Sequence, residues 1–188
     1  MNPLVTLYAQ RIHFSPEAEA AVEASCTRQE VKRGELLLKA GEVANWLYFI
    51  ESGILRVYTQ VGRSEATLWL GLANSLTTSL PSFLTRGPNA EYIHALSDCV
   101  VYAIHYERLR QLYDEHRELD RLGRLLFEEY ALQIRDHSFS LRCHTTTERY
   151  ENLLRKRPEL FQQVPLTYIA SFLGMTAQAM SLVRAKRI

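Results

Sequence analysis

The sequence predicts an α+β chain: an antiparallel β-barrel or sandwich, then a long helix, then a C-terminal helix-turn-helix. Three observations carry this. Short β-rich runs separated by glycine turns fill residues 31–104. From about Tyr106 the apolar period changes to 3.6. The last 25 residues, Val164–Ile188, read as two short helices about a glycine.

In order, residues 3–11 and 16–26 are expected to be short helices, the second opened by Pro16. Val31–Gly41 reads as turn, strand and turn. Trp46–Glu51, Ile54–Thr59 and Ala66–Leu70 follow as strands, punctuated by Gly53 and Gly62. Pro81, Gly87 and Pro88 mark a looser crossing segment, and Tyr92–Leu96 and Cys99–Ile104 complete the β-domain. Leu109 and Leu112 fit a short helix. A long helix is expected over about Glu118–Leu141, with Leu122, Leu126, Tyr130 and Ile134 as an i, i+4 stripe. Leu119, Leu125, Phe127, Ala131 and Leu132 widen its apolar surface beyond one face. One side then packs on the β-domain and the other on the same helix of a second copy; a helix wholly buried in a monomer is the alternative. Thr145 with Glu148 three residues on is a capping-box pattern that starts a new helix, and Tyr150, Leu153 and Leu154 follow on one face. Arg155-Lys156-Arg157-Pro158 ends it. The expected units are residues 1–115, 116–143 and 144–188.

The chain is 188 residues long and 47% hydrophobic, enough to build a core. No run approaches the roughly 20 apolar residues of a membrane helix. Met1-Asn2-Pro3-Leu4-Val5 lacks the basic and apolar regions of a signal peptide, so a cytoplasmic protein is expected. Cys26, Cys99 and Cys143 are single and far apart, giving neither a disulfide framework nor a metal site; they are expected to be small buried hydrophobes.

The C-terminal motif carries the function. Ala170 is small where two helices would cross, and Gly174 suits a turn that needs positive φ. Thr176 can cap the second helix. Ile169, Leu173, Met180 and Val183 are the expected buried contacts, while Gln178, Ser181 and Arg184 recur on another face. This is the pattern of a helix that enters the major groove of double-stranded DNA. Alone, it is also compatible with an ordinary helical hairpin. Charge favours DNA: residues 142–188 hold eight Arg/Lys and three Glu, net +5, against −4 for residues 1–141.

The layout resembles the cyclic-AMP receptor protein (Crp/Fnr) superfamily of bacterial transcription regulators. The resemblance rests on Gly34, Gly41, Gly53 and Gly62, on the core text Leu47-Tyr48-Phe49-Ile50-x-x-Gly53-x-Leu55-Arg56-Val57-Tyr58, and on the order long helix, then helix-turn-helix. It implies a β-roll, a homodimer on a pseudo-palindromic site, a small effector held in the β-roll, and RNA polymerase as a partner. Gln178, Ser181 and Arg184 would face bases; Thr176, Lys186 and Arg187 would face phosphates.

The departures from the family are specific. Its cyclic-nucleotide binders carry a Gly-Glu pair and then an Arg that pairs with the phosphate. Residues 74–92 here hold no Gly-Glu, Asn89 stands where the Arg belongs, and Glu91 adds negative charge. Cyclic AMP is therefore not expected to bind in the usual way. Ser75, Thr77, Thr78 and Ser79 are candidates to line a pocket for another, unknown effector, with Arg86 as a substitute cation. No cofactor is expected: three scattered cysteines cannot supply the four thiolates of an iron–sulfur cluster, and His94 and His105 read as structural rather than haem ligands. In the reading helix, Gln178 replaces the family's Glu and Leu182 its Arg, so the site should depend less on guanine. The sequence stops just after this helix, so the family's wing hairpin is expected to be missing. The alternative reading is a ligand-binding or protein-interaction module that no longer reads DNA. An enzyme is not expected, because Asp98 and Asp136-His137 have no nucleophile, phosphate loop or metal cluster beside them.

Overall fold

The computed structural model describes residues 2–185. Two short helices, α1 (Pro3–Tyr8) and α2 (Pro16–Ser25), open the chain. Each starts at a proline behind a polar cap: Leu4 N donates to Asn2 Oδ1 at 3.0 Å, and Ala18 N to Ser15 Oγ at 3.2 Å. Proline is harmless there because first-turn N–H groups lack intrahelical partners. Both helices are shorter than the pattern predicts. Cys26, for instance, pairs with Ile104 as the first residue of a strand.

Eight strands follow: β1 (Cys26–Val31), β2 (Leu36–Leu38), β3 (Trp46–Ser52), β4 (Leu55–Val61), β5 (Ser64–Gly71), β6 (Ser75–Thr77), β7 (Glu91–Ala95) and β8 (Cys99–His105). They form two antiparallel sheets, ordered β1-β8-β3-β6 and β2-β7-β4-β5. The predicted β-roll is thus two facing sheets, with Tyr48, Ile50, Leu55, Val57, Ile93 and Val101 in the core. Gly53 has φ +94°, and a Cβ there would lie 2.5 Å from the Asp98 carbonyl oxygen, so this turn admits only glycine. Between β6 and β7 the expected loose segment contains a helix, α3 (Leu80–Thr85), closed by Arg86 at φ 58°. Six residues are too few for an apolar period to register.

Helix α4 (Tyr106–Glu115) leads into α5 (Arg117–Cys143), which buries Leu119 and Leu122 against α1, α2 and α4. The C-terminal helices are α6 (Thr146–Lys156), α7 (Pro158–Gln163), α8 (Leu166–Phe172) and α9 (Ala177–Ala185). Both capping-box bonds form: Glu148 N donates to Thr145 Oγ1 at 3.3 Å, and Thr145 N to Glu148 Oε2 at 2.8 Å. Pro158, read as a terminator, also opens α7. These helices pack on the β-roll: Ile54, Leu70 and Leu72 share a buried cluster with Tyr150, Leu160, Ile169 and Met180. Of the cysteines, Cys99 is buried and Cys26 partly so, but Cys143 is exposed at the end of α5, against the expected burial.

Candidate nucleic-acid interface

Helices α8 and α9 meet at 103°, inside the range of about 90–120° for helix-turn-helix pairs. Gly174 sits between them at φ +62°, and a Cβ there would lie 2.9 Å from Leu141 Cδ2 and 3.1 Å from Arg149 Nη1. Arg149, from α6, donates to the Leu173 and Gly174 carbonyls at 2.5 and 3.2 Å, satisfying the C-terminal end of α8. Ala179 N donates to Thr176 Oγ1 at 3.1 Å, the cap that starts α9. Ile169, Ala170, Leu173, Met180 and Val183 are buried. Thr176, Gln178, Ser181 and Arg184 are exposed. The Ser181 hydroxyl donates to Ala177 O at 3.1 Å, which leaves its oxygen free to accept. Leu182 lies one turn after Gln178 and is 60% exposed. Lys186 and Arg187 lie outside the described residues.

The pair is held on the β-roll by a residue that sequence reasoning missed. Arg56 of β4 is only 1% exposed. Its Nε donates to Thr67 Oγ1 at 2.9 Å and its Nη1 to Glu65 Oε2 at 2.6 Å. Its guanidinium lies between two rings, 4.4 Å from the Tyr58 centroid and 3.9 Å from that of Tyr168 on α8. Ser171 of α8 adds two bonds, accepting from Thr67 N at 2.9 Å and donating to Glu65 O at 3.1 Å. Arg157 donates to Leu70 O at 3.0 Å. One turn after Tyr168, Phe172 stacks on His137 of α5, with centroids 4.4 Å apart. Burial, and then the nearby charge of Arg149, hold the His137 imidazole below its ordinary value of 6.5. His137 is thus half-buried, while Asp136 beside it is exposed.

A groove of about 740 Å³ runs between α5 and the β-roll. Its α5 wall is Gly123, Leu126, Phe127, Tyr130, Ile134, His137 and Leu141. Apart from Leu126, their spacing is 4-3-4-3-4, the repeat of a coiled-coil seam. Phe127, Ile134 and Leu141 on this wall are 54%, 40% and 39% exposed. Of the expected i, i+4 stripe, Leu126, Tyr130 and Ile134 line the groove and Leu122 does not. Leu122 is buried with α1, α2 and α4, and Leu126 packs against the same cluster. Tyr130 tilts onto Trp69 at 5.8 Å, so only Ile134 of that stripe is exposed. The physical reason is drift: residues four apart advance by about 40° round a helix, and four of them leave the seam.

The expected effector residues do not converge. Thr77 and Thr78 line the groove, but Ser75, Ser79 and Arg86 do not. Ser75 donates to Leu72 O at 2.6 Å, and Ser79 is buried at the start of α3. Arg86 is spent on Ala44 O at 2.7 Å and on Asn45, and lies over Tyr106. Asn89, in the place of the family's Arg, donates to Lys39 O and Glu42 O at 3.0 and 2.6 Å. Among the described residues lining the groove, the one Lys or Arg is Arg110 and the one carboxylate is Glu91.

Residues 28–116 match the cyclic nucleotide-binding domain family. None of the curated proteins matches the chain in sequence. Solved structures do match in fold. FixK2 from Bradyrhizobium japonicum aligns with TM-score 0.73 at 16% identity, over 86% of this chain and 83% of that one. A putative Crp/Fnr-family transcriptional regulator from Eubacterium rectale gives 0.72 at 15%, over 98% and 86%. CLP of Xanthomonas campestris, described as a c-di-GMP responsive global regulator, gives 0.71 at 18%, over 92% and 91%.

Proposed function

We propose that this chain, which has the fold of the Crp/Fnr regulators and matches the cyclic nucleotide-binding domain over residues 28–116, is a homodimeric, sequence-specific DNA-binding transcription regulator. The observation that carries the reading is α9. Its buried side is Met180 and Val183, and its open side offers Gln178 and Ser181 to solvent after the 103° turn. Those two side chains have the hydrogen-bonding groups that read base edges in a major groove. Thr176 is assigned to phosphates; Arg184, expected to face bases, is reassigned to phosphates because it lies about 120° round α9 from Gln178, and the net +5 of residues 142–188 supplies the sequence-independent attraction.

The dimer forms when a second copy of α5 covers Phe127, Ile134 and Leu141, joining the 4-3 seams of two chains about a two-fold axis. Two α9 helices then address a pseudo-palindromic site. Residues 1–115 act as the effector-type unit, 116–143 as the dimer helix and 144–188 as the DNA-binding unit, in a cytoplasmic regulator that works with RNA polymerase. Cyclic AMP is not its effector in the family manner. The cation expected to pair with the cyclic phosphate is replaced by Asn89, and Arg86 is committed to Ala44 and Asn45.

The test is selection of random duplexes on the purified protein, with and without cyclic AMP. A two-fold-symmetric motif that is unchanged by the nucleotide is expected. A nucleotide-dependent motif overturns the effector reading. Absence of any motif overturns the regulator and leaves a ligand-binding or interaction module.

A further inference from the structure

Resting on the DNA-binding reading, we propose that Leu182 reads the C5-methyl group of thymine, and that α9 therefore recognises A·T pairs in each half-site. Leu182 is 60% exposed on the open side of a helix whose other large apolar residues, Met180 and Val183, are buried. The fold makes no use of its branched end. Gln178 precedes it by one turn on the same side. Four residues advance about 6 Å along a helix, close to two base-pair steps at about 3.4 Å each.

The chemistry of this face is selective. Gln178 offers the donor and acceptor that match adenine N6 and N7. Leu182 offers only apolar surface, and the thymine methyl is the one apolar group that the major groove presents. Ser181, whose hydroxyl already donates to Ala177 O, can only accept, and both adenine and cytosine carry an amino group there, so it discriminates little. Guanine O6 and N7 call for Arg or Lys. Among the described residues of α9 the one such cation is Arg184, which at 3.6 residues per turn lies about 120° round from Gln178 and so faces the backbone. Among the described residues, the face thus has partners for adenine and for thymine and none for guanine.

The experiment takes the duplex selected on the full chain and replaces its thymines one at a time by deoxyuridine, which removes only the methyl. Affinity is measured at fixed salt for the wild type and for Leu182→Ala. At one symmetry-related thymine pair, the wild type should bind about 4-fold more weakly for each methyl removed. Leu182→Ala should bind the thymine and uracil duplexes equally, with an unchanged salt dependence. A wild type that prefers the selected duplex over a scrambled one yet ignores every thymine-to-uracil change overturns this inference alone. So does a Leu182→Ala protein that keeps the methyl sensitivity. Failure to select any sequence overturns the DNA-binding reading and this inference together.

Discussion

Replacing Arg56 by Met and Tyr168 by Leu, singly and together, isolates the contact that fastens α8 to the β-roll. Arg56→Met alone is ambiguous. It removes a buried charge, which relieves desolvation, and it also orphans Thr67 Oγ1, which accepts from Arg56 Nε at 2.9 Å. In the double-mutant cycle the Thr67 term, the Glu65 bond and the Tyr58 ring contact occur on both arms and cancel. What remains is the guanidinium over the Tyr168 ring at 3.9 Å, with the cation 1% exposed. A desolvated pair of this kind is worth about 1.5–2 kcal/mol. The assay is urea unfolding of the four proteins at one pH and salt. A coupling of about 1.5 kcal/mol is expected, with faster proteolysis in the 143–146 break of the single variants. A coupling under about 0.5 kcal/mol, the ordinary scatter of additivity, would refute the idea that this cation joins the two parts.

Ile134→Asp places a carboxylate on the seam. With Ile134 40% exposed, each chain forgoes about 0.6–1.2 kcal/mol of apolar burial, counted twice about a two-fold axis, so sedimentation should report dimer affinity weakened by at least about 10-fold; an unchanged affinity would mean that α5 does not form the interface. Gly174→Ala should cost about 1–2 kcal/mol in urea unfolding, since alanine is strained at φ +62° and its Cβ meets Leu141 Cδ2 at 2.9 Å; an unchanged stability would mean the turn is not held in the left-handed region. His137 titrates below its ordinary 6.5 in the folded chain, so between those two values the unfolded chain holds more protons. Wild-type stability should therefore fall, relative to His137→Phe, as pH drops through 6.5. Parallel pH profiles for the two proteins would show that the imidazole on Phe172 is not buried enough to matter.

Much of the fold was legible in local chemistry. Thr145 and Glu148 announced α6 because a capping box is written within four residues. Ile169, Leu173, Met180 and Val183 follow the helical period on either side of a glycine, and all four are buried. Short elements were not legible. α3 and α7 have six residues each, and their prolines, at the first turn, read as breaks rather than starts. The long helix was legible, but Leu122 of the i, i+4 stripe is buried with α1, α2 and α4, because residues four apart drift round a helix, while Leu126, Tyr130 and Ile134 line the groove. The polar run at residues 75–79 suggested a pocket, yet composition does not say which hydroxyls are spent on nearby carbonyls, as Ser75 is on Leu72. Arg56 stood in the core text of the resemblance, but its burial and its role were not legible. A charged residue in a strand reads as solvent-facing, and only α8, more than a hundred positions later, covers it. Tyr58, two residues on along the same strand face, was the one local hint.

The most direct test of a sequence-reading regulator is the affinity of the full chain for its selected duplex against a scrambled duplex of the same composition, at one salt concentration near physiological. A ratio of about 10³ or more is expected, the range in which specific DNA-binding proteins operate, together with its collapse in Gln178→Ala. A ratio near one, with binding that simply fades as salt rises, would mean that the basic C-terminal segment attracts DNA without reading it.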